Sequence, residues 1–143
     1  RDLNALLATE THSLARHIEV EAAPWYDAAT YRMWKDVASY KHVSDEHARR
    51  LSALLVENDL PERPGVFPQL TGFSHYLDLK TLLPRLIREK QDQIALYDNA
   101  IGHATGDAKI VAELEALRDE VRAELDELRK HQQTLTQSAQ ASA

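Results

Sequence analysis

One break interrupts an otherwise helical chain. Between residues 60 and 74 the sequence carries Pro61, Pro64, Gly65, Pro68 and Gly72, while on both sides apolar residues recur at helical spacing over long stretches. Proline and glycine at that density end any helix, and a 3.6-residue apolar period argues for amphipathic helices that need a shared core. Leu3, Leu6, Leu7, Leu14 and Ile18 mark a first helix from about Leu3 to Ala23, which Pro24 ends. Tyr40, Val43, Leu51, Leu54 and Leu55 mark a second from about Val37 to Asn58, with Trp25 to Asp36 read as the corner between the two. The third runs from about Tyr76 to Gly102 on Leu79, Leu83, Leu86, Ile94, Tyr97 and Ile101, with Pro84 expected to bend its start. Asp107 is a natural N-cap for a fourth, from Ala108 to about Gln133, on Ile110, Leu114, Leu117, Val121, Leu125 and Leu128.

The length of the break selects among bundles. About fifteen extended residues reach roughly 50 Å, whereas a twenty-residue helix is only ~30 Å long, so the connection can run the whole length of the bundle. Such a crossover between two helical hairpins predicts an all-α four-helix bundle of ferritin-like topology rather than a simple up-down-up-down one. A single domain over residues 1–137 is expected, since neither half is large enough to stand alone, with residues 138–143 a disordered tail.

Charge and composition remove several function classes. A net charge of -6 offers no basic footprint for nucleic acid or an anionic membrane surface, so neither partner is expected. The absence of cysteine excludes thiolate ligands, disulfides and thiol catalysis; it leaves the compartment open, with the cytoplasm as default. The start at Arg1 suggests a trimmed or processed chain.

What demands explanation is a set of ionisable residues on the apolar stripes. Glu10, His17 and Glu21 project onto the buried side of the first helix, His47 onto that of the second, Lys90 onto that of the third and Glu124 into the seam of the fourth. Taken singly each has a bland reading: His17 and Glu21 pair at i,i+4, His47 is a core histidine with satisfied nitrogens, and Lys90 snorkels outward. Taken together they form a cluster, and buried charges are prohibitive unless paired or bound to metal. Asp45, Glu46, Arg49 and Arg50 read as the solvated face of the second helix, and His103 and His131 as solvated.

The run from Leu3 to Glu10, with its Leu-Asn opening, resembles the first helix of bacterioferritin and related ferritin-like proteins. His47-Ala48-Arg49-Arg50-Leu51, continuing to Leu60-Pro61, is similar to the end of their second helix, and Tyr97 stands seven residues after the glutamate position of their third. The resemblance implies iron or manganese ligands in the order Glu, Glu-x-x-His, Glu, Glu-x-x-His over the four helices. This chain supplies Glu10, Ser44-x-x-His47, Lys90 and Val121-x-x-Glu124. Both carboxylates that bridge a metal pair in the family are therefore replaced, which argues against a standard di-iron oxidase.

Two readings stay open. Either Glu10, His47 and Glu124 hold one iron or manganese ion, with His17 and Glu21 as further ligands, or no metal binds and Lys90 is the charge substitute, pairing with Glu10 and Glu124. At an effective dielectric of about 20 an ammonium attracts a carboxylate 4 Å away by roughly 4 kcal/mol before desolvation, while repelling a metal ion. The expected function is a non-catalytic binding or structural module with a degenerate metal centre, assembled as a homo-oligomer; the alternative is a ferritin-like oxidase or storage protein using a reduced site. A hemerythrin-like arrangement built on His12 and His42 is disfavoured, because both fall off the buried faces.

Overall fold

The computed structural model describes residues 2–12, 31–61 and 79–141. They form four helices and no strand: α1 (Asp2–His12), α2 (Tyr31–Glu57), α3 (Leu79–His103) and α4 (Ala108–Ala141). The chain is an all-α four-helix bundle. No helix among the described residues is long and apolar enough to cross a membrane.

Two boundaries depart from the sequence reading. Helix α2 begins at Tyr31, so residues 31–36, read as part of a corner, are its first turns; Met33 and Val37 lie one turn apart and both pack into the core that the aromatic run obscured. Helix α4 continues to Ala141, past the tail expected from Ser138. Pro84 lies inside α3 without ending it. The expected course of the first helix through Leu14, Ile18, His17 and Glu21 falls outside the described residues.

Local chemistry explains the ends. The Asp107 carboxylate accepts hydrogen bonds from the backbone N–H of Lys109 and Ile110, at 3.1 and 3.2 Å, capping α4 as its position predicts. Helix α2 closes with Asp59 in the left-handed region, φ 54°, where Leu60 N donates to Leu55 O and Asp59 N to Val56 O. These two reversed bonds satisfy carbonyls that the helix end would otherwise orphan. The next residue's carbonyl, Pro61 O, accepts a bond from Asn4 Nδ2 at 2.9 Å, tying the start of α1 to the end of α2.

Packing follows one scheme. Helix α1 packs on α2 and α3, and α4 packs on α3 and α2. Tyr40 meets Glu127, His47 meets Glu120 and Asp36 meets His131, so equal steps forward on α2 match equal steps back on α4 and the two helices are antiparallel in one register. The α3–α4 pair is antiparallel by Lys90–Glu124 and Asp98–Arg118, and α1–α3 by Glu10–Tyr97 and Asp2–His103. It follows that α2 ends at one end of the bundle and α3 begins at the other; the expected crossover between them lies outside the described residues.

The core is divided. One apolar cluster gathers Val37, Tyr40, Leu82, Leu83, Leu86, Ile87, Leu125 and Leu128; the other gathers Leu3, Leu6, Leu7, Leu51, Leu54, Leu55, Tyr97, Ala100, Leu114, Leu117 and Val121. Between them, in register on all four helices, lie the buried polar residues Glu10, Ser44, His47, Lys90, Gln93 and Glu124.

Candidate functional site

The polar layer is built one or two side chains per helix, each on the apolar stripe of its helix. The helices therefore bring its members inward as a consequence of burying their apolar stripes. Lys90 is 0% exposed and Glu124 7% exposed, and Lys90 Nζ lies 2.6 Å from Glu124 Oε2. Lys90 thus does not snorkel: its side chain is enclosed within the protein. Its ammonium has Gln93 Oε1 as a more distant acceptor at 3.5 Å and stands 5.8 Å from the centre of the Tyr40 ring. The weak attraction between cation and ring adds to the pair.

Glu10 has different partners from those the sequence implied. Its Oε1 accepts a hydrogen bond from the Tyr97 hydroxyl at 2.7 Å and faces His47 Nδ1 at 3.1 Å, so its cation is the imidazole rather than Lys90. The second ring nitrogen, His47 Nε2, faces Glu120 Oε2 at 2.9 Å. With a carboxylate at each nitrogen, the imidazolium form can donate twice. Burial disfavours that charge, but the hydrogen bond and charge of Glu10, with Glu124 and Glu120 beyond, outweigh it and raise the pKa of His47 above the usual 6.5. Burial pushes the Glu124 carboxyl up, and Lys90 and His47 only partly oppose this. Tyr97 is driven well above the ordinary phenol range by burial and by the Glu10 charge, so it stays a donor.

Glu120 and Arg50 belong to the site although the sequence placed neither there. Arg50, read as solvated, donates from Nε to Glu113 at 2.6 Å and from Nη1 to Glu120 at 2.9 Å, closing over the outer side of His47. Glu120 is four residues before Glu124, and Arg50 is three after His47, so each shares a helix face with a layer residue. That spacing was the available signal; the charge of both side chains, which reads as solvated, hid it.

The layer's chemistry is that of paired charges: Glu10 with His47, and Glu124 with Lys90. Glu10 Oε2, Ser44 Oγ, Gln93 Nε2 and both Glu124 oxygens are buried without an aligned hydrogen bond, Glu124 Oε2 being held by the charge of Lys90. For a di-iron group these residues do not fit. The positions at which the ferritin-like resemblance implies bridging carboxylates hold Ser44 and Val121, and the Lys90 ammonium sits against the buried carboxylate of Glu124.

A second cluster lies nearer the other end of α2 and α4. His131 Nε2 is 3.0 Å from Asp36 Oδ2 and 3.8 Å from Glu127 Oε1. Here the reading of His131 as solvated is corrected: its side chain is 18% exposed, held between the two helices. The Tyr40 hydroxyl donates to Glu127 Oε1 at 2.6 Å. Burial and the Glu127 bond raise the Tyr40 pKa, keeping that donor protonated. Among the described residues, Asp36, Glu127 and His131 are the set of three whose ligand atoms all lie within 4.8 Å of one another; Glu10, His47 and Glu124 do not form such a set. His103, at the turn before α4, is exposed and meets Asp2, while His42 is exposed on α2. His17 and Glu21 lie outside the described residues.

No family model, no curated protein and no solved structure matches the chain.

Proposed function

We propose that this chain is a ferritin-like bundle protein in which internal ion pairs have taken over the role of a metal centre, and that it acts as a non-catalytic binding or structural module. The carrying observation is the ammonium of Lys90, fully buried and 2.6 Å from Glu124. A cation there supplies the positive charge that two buried carboxylates require, and it raises the cost of placing a metal ion among them. His47 supplies the second positive charge, so Glu10 and Glu124 are balanced by His47 and Lys90 without an ion. The ferritin-like reading is supported by the antiparallel scheme, in which α2 ends opposite the start of α3, together with the Leu-Asn opening and the position of His47.

The alternative, one iron or manganese ion held by Glu10, His47 and Glu124 in a reduced oxidase or storage site, draws support from the unpartnered buried oxygens Glu10 Oε2 and Glu124 Oε1. Metal content and melting temperature with and without EDTA, compared between the wild-type chain and His47→Gln, distinguish the two. The metal-free reading expects no metal whose retention depends on His47. Stoichiometric iron or manganese lost in His47→Gln establishes the alternative instead.

Self-association belongs to the same proposal. Val56 in the last turn of α2 and Leu60 just beyond its end are 68% and 42% exposed and offer apolar surface to a second copy. Sedimentation over a range of concentrations checks this, a monomer at all of them counting against it.

A further inference from the structure

We propose that Asp36, Glu127 and His131 form a binding site for a divalent transition-metal ion, of which Zn²⁺ is the type, clipping the beginning of α2 to the end of α4. The site is separate from the buried layer and does not depend on how that layer is read.

The donor set comes first. One imidazole nitrogen and two carboxylate oxygens are ligands that zinc and its neighbours accept, with one or more positions left for water. The three arise from two helices. Glu127 and His131 are four residues apart on α4 and project from the same face, while Asp36 reaches them from α2 because the antiparallel register sets it opposite His131.

The spacing matches the chemistry. Ligand atoms about 2.1 Å from a tetrahedral ion are roughly 3.4 Å from one another. The two distances from His131 Nε2, 3.0 Å to Asp36 and 3.8 Å to Glu127, bracket that value, and all three ligand atoms lie within 4.8 Å of one another.

One ligand is also held from behind. Tyr40 is 4% exposed, and its hydroxyl donates to Glu127 Oε1. A carboxylate oxygen carries two lone pairs, so Glu127 can keep this bond and still ligate. Outer donors of this kind orient metal ligands, and their loss typically costs ~10–100-fold in affinity. Tyr40 therefore acts as a positioning residue, anchored among Val37, Leu83 and Leu86 in the core. Asp36 and Glu127 remain about half exposed, which leaves the ion a way in.

The experiment titrates ZnCl₂ into the full chain against a chromophoric chelator, for the wild type, Asp36→Asn, His131→Ala, Tyr40→Phe and His47→Gln. The expected result is one saturable Zn²⁺ per chain and a rise in melting temperature with zinc. Asp36→Asn and His131→Ala should each weaken binding at least tenfold and abolish the rise, and Tyr40→Phe should weaken binding ~10–100-fold. Far-ultraviolet circular dichroism of the zinc-free variants shows that the helices persist. His47→Gln should bind as the wild type does. No saturable binding by the wild type, or binding unchanged in both Asp36→Asn and His131→Ala, overturns the proposal. Binding lost in His47→Gln but kept in His131→Ala places the ion in the buried layer, which overturns this site and the metal-free reading together.

Discussion

Two clusters in this molecule use the same side-chain types and meet opposite demands. In the buried layer, Glu10 and Glu124 are matched by His47 and Lys90, and every one of the four is almost fully enclosed. In the Asp36–Glu127–His131 cluster two carboxylates face one imidazole, with both carboxylates open to water. Water screens the outer excess of negative charge, whereas the inner charges are shut away from it and must be matched within the chain. The difference teaches that burial, rather than residue type, decides whether a charge must be answered from within the chain, and that the exposed set is the one left with room for an ion.

The largest effect expected of that contrast lies at Lys90. Removing the ammonium in Lys90→Ala leaves Glu124 buried without its cation, and urea unfolding should show a loss of about 3–5 kcal/mol. A neutral outcome would mean that the carboxylate finds another partner or protonates at no cost. Next comes Tyr97→Phe, which takes from Glu10 a donor at 2.7 Å and should cost about 1.5–3 kcal/mol, the range for hydrogen bonds to a charged group.

A pH dependence of stability follows from His47. Its pKa is raised in the folded chain, so the stabilisation it contributes is complete below the unfolded value of 6.5 and is lost as the pH rises through the folded value. The shift at Glu124 has the same sign, starting from its ordinary 4.5. Urea midpoints should therefore fall as pH climbs from about 6 through neutrality, and His47→Gln should remove the part above 6.5. A wild-type midpoint that stays flat or increases over that range contradicts a charged His47. The smallest effect belongs to the outer cluster: without metal, Asp36→Asn should change stability by less than about 1 kcal/mol, as for exposed ion pairs.

Much of this arrangement was legible in the leucine stripes. A stripe of period 3.6 with one polar member announces a buried polar residue, and Glu10, His47, Lys90 and Glu124 all lie where their stripes put them. The proline-rich break separated α2 from α3, and Asp107 announced its cap. What the stripes could not tell is who pairs with whom. Partner choice depends on the rotation and register of helices far apart in sequence, which is why Glu10 was assigned to Lys90 and found with His47 and Tyr97. Arg50, Glu120, Asp36 and His131 sit off the centres of their stripes, where a charged or polar residue reads as solvated until the α2–α4 register is fixed.

A double-mutant cycle between Lys90 and Glu124, followed by urea unfolding, tests the internal pairing most directly. Lys90→Met and Glu124→Leu should each destabilise by about 3–5 kcal/mol, whereas the two together should be near the wild type, since an apolar pair of similar volume replaces a buried ion pair at little cost. Additive losses, or a Lys90→Met variant as stable as the wild type, would contradict a layer neutralised from within.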